Sequence, residues 1–182
     1  PPKQETITAA LVNQNFTLPA GAAETRVDAE MTLNTDLTVW SLMPHTHVRG
    51  RRWQVEVTYP DGRKDMVLAV PNYDFNWQTD YIFKQPLKLP KGSVIRTSAW
   101  YDNSAANKRN PDPTRTVTFG EASTAEMMFG MFEFIAVEGV SPKPSSVRAR
   151  MEALLASFPR SSAYMINVPQ VARMLGLRSE HA

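Results

Sequence analysis

Residues 53–70 read WQVEVTYPDGRKDMVLAV. In the first half Val55, Val57 and Tyr59 alternate with Gln54, Glu56 and Thr58, the period of two that sends successive side chains to opposite faces of a strand. PDGR at 60–63 supplies a proline, an aspartate and a glycine in the order that turns favour, and a second β-rich run, DMVLAV, follows it. The stretch predicts a hairpin.

The same unit recurs outward from it. TITAALV, DAEMTLN, LTVWSLM, YIFKQPLKL, SVIRTSAWYD, TRTVTFG and MMFGMFEFIAV are short and rich in Val, Thr and aromatics. LPAGA at 18–22, LPKGS at 89–93 and NPDP at 110–113 separate them. Many short strands with no helical pattern between them predict an all-β antiparallel sandwich or jelly roll over residues 1–140. After SPKP at 141–144 the period changes. Val147, Met151, Leu154, Leu155 and Phe158 follow the spacing of an amphipathic helix capped by Ser145 or Ser146 and stopped by Pro159. A second helix is expected from Val168 to Leu175, with Asn167 as cap and Gly176 at its end, so residues 141–182 read as a helical extension.

The 182 residues are 42% hydrophobic and 21% charged, enough apolar content for one domain with a core. Net charge is +2 and the basic residues are scattered, which argues against a nucleic-acid footprint. No apolar run approaches the length of a membrane-spanning helix. The chain opens PPKQ, without an initiator Met or a signal-peptide pattern, as expected of a processed chain or a piece of a longer one. It has no cysteine, so any metal must be held by His, Met or oxygen ligands.

Two of the three histidines stand one residue apart in MPHTHVRGRRW, at His45 and His47. On a strand, residues i and i+2 share a face, so both imidazoles can meet one ion while Thr46 turns away. The plainer alternative is a solvated surface pair. Two histidines do not close a site, and a third ligand must come from elsewhere. His181 lies at the chain end. The other candidates are Met127, Met128 and Met131 in TAEMMFGMFEF, although a Met-rich strand usually fills core gaps. Two imidazoles and a thioether would suit copper in both oxidation states.

Seven segments carry a family resemblance: FTLPAGA (16–22), MPHTHVRGR (43–51), YPDGR (59–63), VPNYDFNWQ (70–78), LPKGS (89–93), YDNSAANKRNPDP (101–113) and FGEASTAEMMFG (119–130). Their order and wording are similar to the C-terminal domain of the copper type II, ascorbate-dependent monooxygenases, which include peptidylglycine alpha-hydroxylating and dopamine beta-monooxygenases. The bacterial branch is the nearest in wording. The resemblance implies a jelly roll that carries the oxygen-activating copper on His45, His47 and Met127. Met128 would then face the core, with Met131 as the fallback thioether. It further implies hydroxylation of a substrate C–H bond with dioxygen and a one-electron donor such as ascorbate, in a periplasmic or extracellular protein.

This chain departs from the pattern in two places. Peptide-amidating members bind the substrate carboxylate with an Arg before the first His and an Asn and a Tyr after the ligand Met. Met43, Phe129 and Met131 occupy those positions here, so a carboxylate would find no partner and the expected wall is apolar. The family's second copper sits on histidines of an N-terminal domain, yet no histidine precedes His45. That half is expected on a larger parent chain, or else this is a non-catalytic copper-binding or interaction module. A carbohydrate-binding sandwich using exposed Trp faces is a third reading.

Asp102, Asn103 and Ser104 read as turn chemistry or as a shell that orders the copper ligands. Glu126 reads either as a surface carboxylate or as a partner for a histidine or Arg49. The four tryptophans read as core and rim, and Phe75-Asn76-Trp77-Gln78 has no chemistry assignable from the residues alone.

Overall fold

The computed structural model of the chain describes residues 7–136 and 164–166. Among the described residues eleven strands are formed, and the alternating runs of the sequence become most of them. They are β1 (Ile7–Val12), β2 (Thr17–Leu18), β3 (Thr25–Thr32), β4 (Leu37–His45), β5 (Gly50–Thr58), β6 (Lys64–Val70), β7 (Tyr81–Leu89), β8 (Val94–Tyr101), β9 (Val117–Thr118), β10 (Phe129–Ala136) and β11 (Tyr164–Ile166). No described residue is helical. The two expected helices and His181 lie outside the described residues. Within the stretch expected to be a helical extension, Tyr164–Ile166 instead pairs with β1.

The strands make an antiparallel β-sandwich. One sheet runs β11-β1-β10-β4-β7, the facing one β3-β8-β5-β6, and β2 pairs with β9 in a short ribbon. The opening hairpin is β5–β6, with Gly62 at the turn in the left-handed region (φ 86°), which glycine adopts without steric cost. Between the sheets pack Leu11, Val39, Leu42, Trp53, Val55, Val57, Leu89, Ile95, Phe132 and Phe134, all buried. On the outer face of the four-stranded sheet, Trp100 lies between the guanidinium groups of Arg26 and Arg52, 5.2 and 4.4 Å from its ring centre. At one margin of the five-stranded sheet runs β7, bearing Lys84, Pro86 and Lys88, with its pairing to β4 interrupted between Val39 and Ser41.

That interruption decides where the histidines point. Against β10 the register runs Glu133↔Ser41 and then Phe134↔Val39, so Trp40 is an extra residue without an opposite number, a β-bulge. Before the bulge Leu37 and Val39 face the core, and after it Leu42 and Pro44 do. Strict alternation from Val39 would have driven Ser41, Met43 and His45 inward. The bulge reverses the phase and puts Met43 and His45 on the outer face, opposite Met131 and Phe129.

Deletion of Trp40 is expected to destabilise the fold by more than about 3 kcal/mol in urea denaturation, because it returns His45 to the core side. Trp40→Thr, at a position 37% exposed, should cost about 1 kcal/mol or less. Comparable losses from the two changes would contradict the phase argument.

Candidate metal centre

β4 ends at His45, so the pair does not sit on one strand as the spacing suggests; Thr46 and His47 continue beyond it into the turn at Val48–Arg49. The imidazoles nevertheless meet, with ring centres 5.3 Å apart and planes at 85°. Thr46 is fully buried between them. The Tyr73 hydroxyl fixes its backbone twice, accepting from the Thr46 N–H at 3.1 Å and donating to its carbonyl at 2.9 Å.

Each ring is also fixed at Nδ1. His45 Nδ1 lies 2.6 Å from Gln78 Oε1, and the Gln78 amide is oriented by its own Nε2 donating to the Phe75 carbonyl at 2.9 Å. His47 Nδ1 lies 3.3 Å from the Ala125 carbonyl. Both partners are oxygens that only accept, so each ring donates from Nδ1, and in the neutral form the lone pair is on Nε2. This is the arrangement in which a carbonyl behind a histidine sets the tautomer of a metal ligand. Burial holds the His47 pKa below its ordinary 6.5, opposed by the Ala125 contact and reinforced by His45, which favours the neutral, ligating form. Phe75 packs edge-on against His47 and Phe129 against His45.

Met127 precedes β10. Burial alternates along 127–132, with Met128 fully buried in the core and Met127, Phe129 and Met131 half-buried on the other face. The paired register of β4 and β10 ends at Phe129↔His45, two residues short of His47 and Met127, and Glu126 Oε2 accepts the backbone N–H of both. The Met127 carbonyl accepts the Tyr101 hydroxyl at 2.8 Å. Among the described residues no three His, Asp or Glu side chains gather as a ligand set.

Glu126 is not a surface carboxylate; it is fully buried. Oε2 accepts the N–H of His47 at 2.7 Å and of Met127 at 3.3 Å, and Oε1 accepts the N–H of Arg49 at 2.7 Å. Burial pushes its pKa up to about 7, and these donors together with the Arg49 charge pull against that rise. Arg49 is buried as well. Its Nε donates to Asn103 Oδ1 at 2.8 Å and one terminal nitrogen to the Thr124 carbonyl at 3.0 Å.

Asn103 therefore reaches the histidines only through Arg49, while its amide nitrogen holds the carbonyls of Leu18, Pro19 and Arg115. Asp102 performs turn chemistry, its carboxylate accepting the Ser104 N–H, and its own N–H donates to the Arg49 carbonyl. Sequence reading left the Tyr73, Phe75 and Gln78 segment without a role. The Gln78 contact places it beside the pair, three residues before β7 begins. Of the tryptophans, Trp53 is core, Trp100 lies under the arginines, and Trp77 stands 75% exposed beside Gln78.

The chain matches no protein-family model, and no curated protein matches it. Solved structures with partial likeness include the infectious bursal disease virus VP2 subviral particle, at 13% identity and a TM-score of 0.38, covering 76% of this chain and 34% of that one. Another is the Gx strain of the same virus, at 13% identity and a TM-score of 0.37, covering 77% and 34%. The chain spans about a third of the length of these chains, and a likeness of this degree carries nothing about function.

The Glu126 pKa sets a pH dependence. Unfolded, the group ionises near 4.5; folded, near 7, so stability is full below the first value and is lost as pH rises to the second. His47, depressed below 6.5, acts oppositely and loses stability as pH falls through that region. Glu126→Gln removes the first effect only. The stability of E126Q relative to the unaltered protein should therefore rise by more than about 1 kcal/mol from pH 4.5 to 7 in denaturant titrations. A pH-independent difference would show that Glu126 titrates normally.

Proposed function

We propose that this chain is the oxygen-activating half of a copper-dependent monooxygenase, with His45, His47 and Met127 as the copper ligands. The observation that carries the reading is the pair of Nδ1 contacts. In their neutral forms, acceptors behind both rings leave two Nε2 lone pairs at adjacent imidazoles, and the half-buried Met127 precedes β10, the strand paired with the one that ends at His45. The donor set fits the metal, because imidazole serves both copper oxidation states and a thioether favours Cu(I). When bound, copper supplies one-electron chemistry and open coordination positions for dioxygen.

The chain's own residues do the rest. Gln78 and the Ala125 carbonyl orient the rings, Tyr73 and Glu126 hold the backbone on either side of His47, and burial keeps His47 neutral. Met43, Phe129 and Met131 line the outer face around His45. They offer dispersion contacts and no hydrogen-bond donor to a carboxylate, which favours a substrate that is uncharged where it meets the site. Electrons would come from ascorbate or another one-electron donor through a second copper on a separate N-terminal domain, and a periplasmic or extracellular setting accords with that chemistry. The competing reading, a copper-binding module without catalysis, draws on the same ligands and differs in lacking that partner.

Anaerobic titration of the reduced chain with Cu(I), followed by X-ray absorption, tests the assignment. One tight equivalent with two imidazoles and one sulfur is expected. Met127→Ile should weaken binding by about tenfold or more, while Met128→Leu, a near-isosteric change in the core, leaves affinity within about threefold. Equal effects of the two changes, or binding indifferent to His45→Ala and His47→Ala, would remove the assignment. Copper binding without donor-dependent oxygen uptake, once the upstream half is supplied, would favour the non-catalytic module.

A further inference from the structure

Gln78 reaches His45 from a surface turn, and that turn is built on Asp74. The Asp74 carbonyl accepts the Trp77 N–H at 2.9 Å and its Oδ1 accepts the Asn76 N–H at 2.9 Å, which closes residues 74–77. From inside the turn the Phe75 carbonyl takes the Gln78 amide nitrogen, so the amide oxygen is what meets His45 Nδ1. Asn76, Trp77 and Gln78 are all exposed, so packing alone holds little of this segment.

A charge grips the turn from outside. Asp74 Oδ2 accepts from Arg109 Nη2 at 2.6 Å. That contact first, and the Asn76 N–H second, hold the Asp74 carboxyl below the ordinary carboxylate range, so the pair is fully charged at neutral pH.

Arg109 itself stands on a fixed base. Its N–H donates to Asn107 Oδ1 at 3.1 Å. The amide nitrogen of the buried Asn107 donates to the Asp102 carbonyl at 2.9 Å and to the Val48 carbonyl at 3.4 Å. Val48 follows His47 directly, and the Asp102 N–H donates to the Arg49 carbonyl at 2.9 Å. The loop that carries Arg109 is thus bonded to the turn that carries His47. Through Asp74 it also holds the segment that orients His45, so one side chain connects the supports of the two rings.

We propose that Arg109 is a positioning residue for the histidine pair: its ion pair with Asp74 latches the 74–78 turn to the loop behind His47 and thereby keeps Gln78 Oε1 on His45 Nδ1. The two side chains are 44% and 38% exposed. An exposed pair contributes modestly, and it is screened as the Debye length falls from about 10 Å at 0.1 M salt to about 3 Å at 1 M. Ionic strength therefore controls which nitrogen of His45 is left free. The latch is a property of the metal-free rings, and its bearing on copper rests on the ligand reading above.

Nitrogen NMR of the metal-free chain with isotope-labelled histidine, at about pH 9 and above the ordinary histidine range, reads the two neutral tautomers separately. A free imidazole in water favours the proton on Nε2, so loss of the latch lowers the ratio of Nδ1–H to Nε2–H at His45. Gln78→Leu removes the acceptor and should lower that ratio by about threefold to tenfold. Arg109→Ala should lower it by about twofold to fivefold, and Arg109→Lys should keep it within about twofold. Arg96→Ala, which breaks a comparably exposed pair with Glu30 on the other sheet, should leave it unchanged. Salt at about 1 M should act on the unaltered chain as Arg109→Ala does and add nothing to that variant. An unmoved ratio in Arg109→Ala or in Gln78→Leu, an equal shift in Arg96→Ala, or salt acting equally with and without Arg109 would overturn the inference. Cu(I) binding is scored separately. These shifts in a chain that binds no Cu(I) would support the latch and remove the copper reading, whereas Cu(I) bound as expected with an unmoved ratio would overturn the latch alone.

Discussion

A single extra residue in β4 governs the chemistry of this molecule. Side-chain direction along a strand is a two-state variable, and the bulge at Trp40 switches it between Val39 and Leu42. Upstream, odd-numbered residues fill the core; downstream, even-numbered ones do. His45 and Met43 thereby reach the outer face, where β10 presents Phe129 and Met131 and the approach to β7 presents Gln78. The direction of His45, and with it the contact to Gln78, depends on that change of phase.

Beyond the bulge the site is held by backbone, and Glu126 is the group that holds it. Its carboxylate joins residues that are 79 and 77 positions away in sequence by accepting the N–H groups of His47 and Arg49. A buried carboxylate is costly unless its oxygens are satisfied, and here three donors offset much of that cost. Removing it would leave those N–H groups buried and unpaired. Arg49 extends the connection through Asn103 and Thr124, so the histidine turn, the 102–110 loop and the segment before Met127 are locked as one unit. Tyr73 and Tyr101 do the same for Thr46 and Met127 by single hydroxyls. The ligand candidates are thus positioned by side chains whose oxygens are engaged with backbone N–H and carbonyl groups.

The strands were legible because alternation and turn residues are local properties. The hairpin at 53–70 and the run at 81–89 are formed where the residues predict them. The histidine pair was legible as a pair, and the opposite facing of Met127 and Met128 followed from the same alternation. The Trp40 bulge was not, because LTVWSLM reads as an ordinary strand and the extra residue shows only against β10. Gln78, Ala125 and Tyr73 escaped for a related reason: their contacts with His45, His47 and Thr46 join segments that are distant in sequence. Glu126 was visible as a choice between a surface carboxylate and a partner for a histidine or Arg49, and its burial and contacts decide it. β11 escaped because three residues are too few to show a period.

The margin of the sheet at β7 has a consequence for how molecules of this protein meet one another. An outermost strand exposes unpaired peptide groups that a strand from another copy can complete. Pro86 offers no N–H to such a partner, and Lys84 and Lys88 would bring like charges against their counterparts and have to shed water to do so. The slipped pairing with β4 further bends the strand from the straight line that a neighbour would need. Among the described residues, this border of the sandwich is poorly suited to accept a strand from another copy.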